Sequence, residues 1–254
     1  MILRRVMEHV KAQNWFAVAI DFVIVIVGVF IGVQASNWNE ARADKGRADG
    51  FLERIAADLD ADLDDYADRL KFWGEVSRRG AAGLAYAETG ETGGRSPWRI
   101  LLDYFQASQV AEFFTTSATW DEMRSAGDLH LIEDLELRGR LARYYTYAGN
   151  PALSERPAYR EHVRERIPAE IQRYIWERCY ASDSSGRQKI IDCTPPVDEA
   201  RAREIVAALA GDEALMRELR YWVSTMIVAS RIGEDRVAAA TAAKAAVEQE
   251  LAKE

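Results

Sequence analysis

Residues 15–35 read WFAVAIDFVIVIVGVFIGVQA, 21 positions with a single charge, Asp21. At about 1.5 Å of rise per residue, a helix of that length covers roughly 30 Å, the hydrocarbon thickness of a bilayer. The run is rich in β-branched residues (Val18, Ile20, Val23, Ile24, Val25), which in water favour a strand. In lipid a lone strand leaves its backbone groups unpaired, so a helix is expected. Trp15 and Trp38 bracket it at the heights where interfacial aromatics sit. Two other readings compete. One is a buried core helix of a soluble protein. The other is a cleaved signal peptide, since Arg4 and Arg5 precede the run and Val33-Gln34-Ala35 imitates a cleavage site. The run is longer than the roughly 7–15 apolar residues of a signal core, which favours an uncleaved anchor. The expected organisation is a short cytoplasmic tail (1–14), a transmembrane helix (15–35) and an extracytoplasmic domain (36–254).

Orientation is less constrained by charge. Arg4, Arg5 and Lys11 precede the span, and Arg42, Lys45 and Arg47 follow it, so the basic residues are nearly symmetric. The short tail and the cysteines tip the balance. Cys179 and Cys193 flank a polar loop, YASDSSGRQKIID, that can close as a hairpin. A disulfide closing it contributes about 3 kcal/mol by the chain-entropy argument and persists only in an oxidising compartment. Two unpaired thiols in a reducing cytosol are the alternative. The expected location is a bacterial inner membrane, amino terminus inside and the bulk of the chain in the periplasm.

On a helical wheel Asn14, Ala17, Asp21, Gly28, Gly32, Ala35 and Asn39 fall within an arc of about 80°, with bulky residues opposite. Gly28 and Gly32 form a GxxxG, which lets two backbones approach where lipid offers no hydrophobic drive. This pattern points to a helix with a partner. Asp21 lies about 6 Å from the midpoint of the span, where a carboxylate is costly unless paired, hydrated or protonated. Three roles stand open for it: a neutral acid bonded across a helix interface, a hydrated bystander, or a proton carrier beside a polytopic partner. The third matches the layout of small single-span partners of ion-driven motors, and the match stops at layout. Gln34, Asn37, Trp38 and Asn39 mark where the helix leaves hydrocarbon, either as a generic interfacial anchor or as a specific lock.

The remainder reads as all-α. No proline precedes Pro97, and Leu52, Ala56, Leu59, Leu63, Tyr66, Leu70 and Trp73 recur at threes and fours. One rod is therefore expected from the membrane to about Arg79, with Gly46, Gly50 and Gly74 as weak points. The run DLDADLDD from Asp58 lacks the glycine and closing glutamate of a calcium loop and reads as a solvated acidic helix face. Further helices are expected over 98–109, from a Ser117 or Thr119 cap to Gly127, from Asp134 to Asn150-Pro151, and over 154–179 with a kink at Pro168. Two more follow, from Asp198 to Leu209 and from Asp212 towards Glu250. The last has Leu215, Leu219, Trp222, Met226, Ala229 and Ile232 on its apolar face and an alanine-rich tail expected to fray. An antiparallel bundle, with the last helix lying back along the first, buries these faces most simply.

Composition excludes several classes. Charged residues at 29 % and apolar residues at 48 % describe a folded chain that is not wholly embedded. A net charge of -8 argues against nucleic acid as a partner. Three histidines (His9, His130, His162), far apart in sequence, and two cysteines leave little for a metal site. There is no phosphate loop and no nucleophile elbow. The acids of Trp120-Asp121-Glu122 read as ion-pair partners for Arg124 or Arg138. No catalytic, cofactor-binding or metal-ligating residue is assigned, and a non-enzymatic protein is expected.

Two stretches resemble a known family. GVFIGVQASNWNEAR (28–42) and the segment 119–145, with Ser125-Ala126-Gly127-Asp128-Leu129-His130-Leu131-Ile132, resemble uncharacterised bacterial single-span membrane proteins. In those, a Gln-x-x-Asn-Trp-Asn-Glu junction leads to an α-helical outer domain with a Ser-Gly-x-Leu-x-Leu-Ile turn. Ala126 interrupts the turn match, and the resemblance implies no activity. The leading expectation is a membrane-anchored interaction protein that self-associates through its span and binds another envelope protein. A ligand-binding or sensory module is the alternative, and an ion-coupling role for Asp21 the third.

Overall fold

The computed structural model describes residues 15–147, 157–184 and 186–253, with side chains in the first helix at residue 20 and from residue 22 onward. The tail 1–14 with His9 and Asn14, the Asn150-Pro151 stop and the Ser154 helix start lie outside the described residues. Helix α1 is Trp15–Thr89. After it come α2 (Pro97–Gln106), α3 (Ala118–Ala126), a 3-10 turn (Asp128–Leu131), α4 (Leu135–Tyr145), α5 (Ala158–Arg166) and α6 (Ala169–Arg178). A hairpin of β1 (Tyr180–Ser182) and β2 (Gln188–Ile190) precedes α7 (Glu199–Ala210) and α8 (Glu213–Leu251). The fold is all-α, and the hairpin is its only sheet among the described residues.

Helix α1 is 75 residues long, about 110 Å of continuous helix. It runs past the expected end near Arg79 because only Gly90, at φ +71°, turns the chain away. Gly46, Gly50 and Gly74 do not interrupt it. The caps read from sequence are largely where expected. The Asp134 carboxylate accepts from the Glu136 and Leu137 amides, and those of Asp198 and Asp212 accept from Arg201 and Leu215. Gly127, left-handed at φ +79°, ends α3. Ser117 precedes α3 without capping it, since its hydroxyl donates to the Asp121 carboxylate instead. Pro168 gives a full break between α5 and α6, not a kink. Helix α2 stops three residues before the expected 109, in a segment whose carbonyls accept from indoles. Trp222 Nε1 donates to the Ala107 carbonyl at 2.8 Å and Trp73 Nε1 to that of Ala111 at 2.9 Å.

Helix α8 lies antiparallel along α1: Arg220 meets Glu88 at one end, Lys244 meets Asp60 further down. On α1 the buried stripe is 48, 52, 55, 59, 62, 66, 69, 73, 76, 80 and 83, with Phe72 buried beside it. On α8 it is 215, 219, 222, 226, 229, 233, 236, 240, 243 and 247, with Met216 buried beside it. Both follow an unbroken 4-3 alternation, the pattern of paired helices whose seams face each other. Two apolar cores flank this pair. The outer one gathers Phe72, Trp98, Tyr104, Phe105, Tyr159 and Trp222 with α2, α5, α6 and α7. The one nearer the amino-terminal end of α1 gathers Leu52, Ile55, Leu59, Trp120, Leu141 and Val247 with α3 and α4.

Three expectations change at this level. The alanine tail of α8 stays helical to Leu251, because Ala240, Ala243 and Val247 are fully buried against α1. Gly233 replaces Ile232 in the seam, since a Cβ there would sit 2.8 Å from Leu70 Cδ2 and 3.0 Å from Trp73 Cζ3. The acidic run from Asp58 is not wholly solvated, as Asp62 occupies a seam position at 1 % exposure.

Candidate functional site

The structure separates the sequence-derived residues into two groups and adds a third. Gly28, Gly32 and Ala35 lie on α1 where every described side chain from residue 22 to 43 is exposed, so this stretch packs on nothing among the described residues. Among the described residues one helix, starting in this segment, is long and apolar enough to cross a membrane. Trp15, Ala17 and Asp21 fall in the same helix, but their side chains lie outside those described. Gln34, Asn37, Trp38 and Asn39 are exposed at the junction, and the Arg42 guanidinium stands 5.8 Å over the Trp38 ring.

The exposed face extends further than the span. Gly46 stands 18 residues after Gly28 (46 − 28), which is five whole turns at about 3.6 residues per turn. Gly50 stands likewise above Gly32. The four glycines therefore share an arc of about 40°, with Ala35 and Asn39 between the pairs. A Cβ added at any of the four meets nothing within 4 Å. Among the described residues nothing requires these glycines, although each costs a helix about 1 kcal/mol relative to alanine. Above the junction, residues 36–43 form an exposed stalk of about 12 Å before Asp44, which is half-buried, and Ala48, the first buried position.

The two segments that carried the family resemblance meet at the top of this stalk. The 3-10 turn folds against α1 beside Ala41, Lys45 and Ala48, with the end of α8 at Leu251 completing an open groove of about 440 Å³. His130 serves this turn locally, its Nδ1 lying 2.8 Å from the Gly127 carbonyl. His162 instead pairs with Glu218 at 2.8 Å, and that carboxylate raises its pKa. Asp121 and Glu122 find Arg124 and Arg54, so the Trp120-Asp121-Glu122 acids are ion-pair partners; Arg138 is not among them.

Sequence reasoning missed the polar layer between the two cores. Asp62, Tyr66, Arg69 and Arg236 occupy seam positions where apolar residues are the rule. The Tyr144 hydroxyl donates to Asp62 at 2.6 Å, and the Thr116 amide donates to its other oxygen at 2.8 Å. Arg236 is 8 % exposed and meets no carboxylate among the described residues. It donates to Tyr66 Oη at 3.3 Å and to the Tyr144 carbonyl at 2.9 Å, and lies 4.3 and 4.4 Å over the Tyr144 and Tyr147 rings. Burial pushes the Asp62 carboxyl up from its ordinary value and the Tyr66 hydroxyl up to about 12. The layer thus joins α1, α4 and α8 by hydrogen bonds and cation–π contacts. The signal that could have found it is the heptad phase itself, carried through charged residues.

Cys179 and Cys193 are joined by a disulfide with Cα atoms 5.2 Å apart. It closes the hairpin, in which Tyr180 pairs with Ile190. Trp98 Nε1 donates to the Cys193 carbonyl and Gln106 Nε2 to that of Cys179, fixing both ends of the bridge on α2. Beside it Arg79 spans Glu75, Asp103 and Asp192. Among the described residues no group of three His, Cys, Asp or Glu side chains is placed to hold a metal ion. No family model matches the chain, and neither the curated proteins nor the solved structures contain a match to it.

Proposed function

We propose that this chain is a single-span envelope protein that self-associates along the glycine face of α1 and presents its helical bundle to a partner outside the membrane. The observation that carries this reading is the alignment of Gly28, Gly32, Gly46 and Gly50 on one exposed ridge with no neighbour among the described residues. Glycines repeated at that spacing permit close backbone approach between helices. The bare apolar segment below Trp38 supports a membrane location, and the disulfide supports an oxidising compartment for the bundle. Above Gly50 the same ridge carries Glu53, Ala57 and Asp64. In a parallel pair these acids face their own copies, so contact is limited to residues 28–50, about 33 Å of helix.

The full-length protein in mild detergent tests this by light scattering over a dilution series. An oligomer is expected, weakened by Gly28→Ile with Gly32→Ile and also by Gly46→Leu with Gly50→Leu. A monomer at every concentration, or full-length protein that stays in the supernatant after detergent-free lysis and high-speed spinning, overturns the reading.

A further inference from the structure

A groove of about 400 Å³ lies between α1 and β2, a size ordinary for a ligand site. Its apolar lining comes from Phe72, Ile190 and Ile191. Its charges are unbalanced once their partners are counted. Asp68 is held by Arg187 at 2.7 Å, Glu75 by Arg79 at 2.9 Å, and Asp192 by Arg79 and Arg99 at 3.1 and 2.6 Å. Lys71 and Lys189 are exposed and form no ion pair among the described residues. Each of the three acids has an arginine partner, Arg79 being shared with Asp103 and Arg187 with Asp65, and the two ammonium groups on the rim have none among the described residues.

The backbone of β2 adds a second, independent feature. Ile191 N donates to the Cys179 carbonyl and Asp183 N to that of Arg187, which makes 179/191 and 183/187 hydrogen-bonded pairs. In an antiparallel ladder such pairs alternate with non-bonded ones, so Gln188 and Ile190 turn their N–H and C=O groups away from β1. Those groups have no backbone partner among the described residues. They repeat every two residues, about 6.8 Å, the spacing that an added extended strand presents. The disulfide just outside the hairpin holds this edge in place beforehand, which lowers the ordering cost of binding.

We propose that this groove docks an extended acidic segment of a partner protein as a third strand. Its backbone pairs with Gln188 and Ile190, and its carboxylates meet Lys71 and Lys189. The proposal holds whether or not α1 crosses a membrane, so its failure and that of the membrane reading are separable.

The test is fluorescence anisotropy of the full chain in detergent micelles with end-blocked pentapeptides alternating Glu with Val, Ile, Leu or Phe. At least one acidic peptide is expected to bind saturably. The exposed double variant Lys71→Glu/Lys189→Glu should weaken it tenfold or more, and a Lys-for-Glu peptide should not bind. Strand addition uses every second amide, so N-methylating one alternate set should abolish binding while the other set is tolerated. No saturable binding by any acidic peptide overturns the proposal. So does equal tolerance of both N-methyl patterns, which reduces the groove to an anion patch.

Discussion

Asp62 holds a seam position on α1 between Leu59 and Tyr66, with the Tyr144 hydroxyl and the Thr116 amide as its bonding partners. Both bonds lower its pKa, yet burial outweighs them and the carboxyl titrates above its ordinary value. For an acid whose folded pKa exceeds its unfolded one, the folded state binds the proton more tightly. The charged form therefore costs stability at neutral pH, and that cost is relieved as pH falls through the folded pKa towards the unfolded value of about 4. Asn at this position keeps an acceptor for Thr116 and a donor for the Tyr144 oxygen, with no charge to desolvate. Asp62→Asn is expected to equal or exceed the parent protein in urea unfolding at pH 7, with the gap closing towards pH 4. Asp62→Ala, which strands both partners, should cost about 2–4 kcal/mol. A loss for Asp62→Asn that grows as pH rises shows instead that the fold requires the carboxylate.

At the scale of elements, the glycines of α1 separate the needs of one chain from those of an assembly. Gly46 and Gly50 stand in exposed helix with room for a side chain. Gly46→Ala with Gly50→Ala should stabilise the monomeric helix, by about 2 kcal/mol for the pair, and raise its thermal midpoint. The sign reverses at Gly233, where an added methyl runs into Leu70 and Trp73; Gly233→Ala is expected to destabilise by about 1–3 kcal/mol despite better helix propensity. Parallel thermal melts of the two variants check both signs. These elements also mark what was legible in the sequence. Caps such as Asp134, Asp198 and Asp212 act within three residues, so they are readable locally. The expected stripe positions Ala56, Leu63 and Leu70 are only half-buried, while Ile55, Asp62 and Arg69, one position earlier, are buried. An apolarity criterion selects leucine over aspartate, and only the far side of the pair, with Tyr144 and Arg236, makes a charged seam residue tenable. Gly46 and Gly50 read locally as weak points of the helix, and only their phase with Gly28 and Gly32 along the continuous rod gives them another use.

For the whole molecule, the polar layer divides a continuous helix pair into an outer core that contains the disulfide and an inner core that does not. The two cores are separate apolar clusters, and parts of a fold can open as separate cooperative units. The bridge closes a short loop, worth about 3 kcal/mol by loop entropy, and pins the hairpin to α2 through Trp98 and Gln106. Breaking it with Cys179→Ser and Cys193→Ser should loosen the hairpin, α6 and the Asp192 contacts to Arg79 and Arg99 first. Amide hydrogen exchange on the full chain reads this directly. Faster exchange is expected over residues 169–192, while α3, α4 and the last turns of α8 keep their protection because Leu52, Ile55, Trp120 and Val247 never touch the bridge. Uniform loss of protection across both cores means that α1 and α8 carry the change through the layer, and that the bundle opens as one unit.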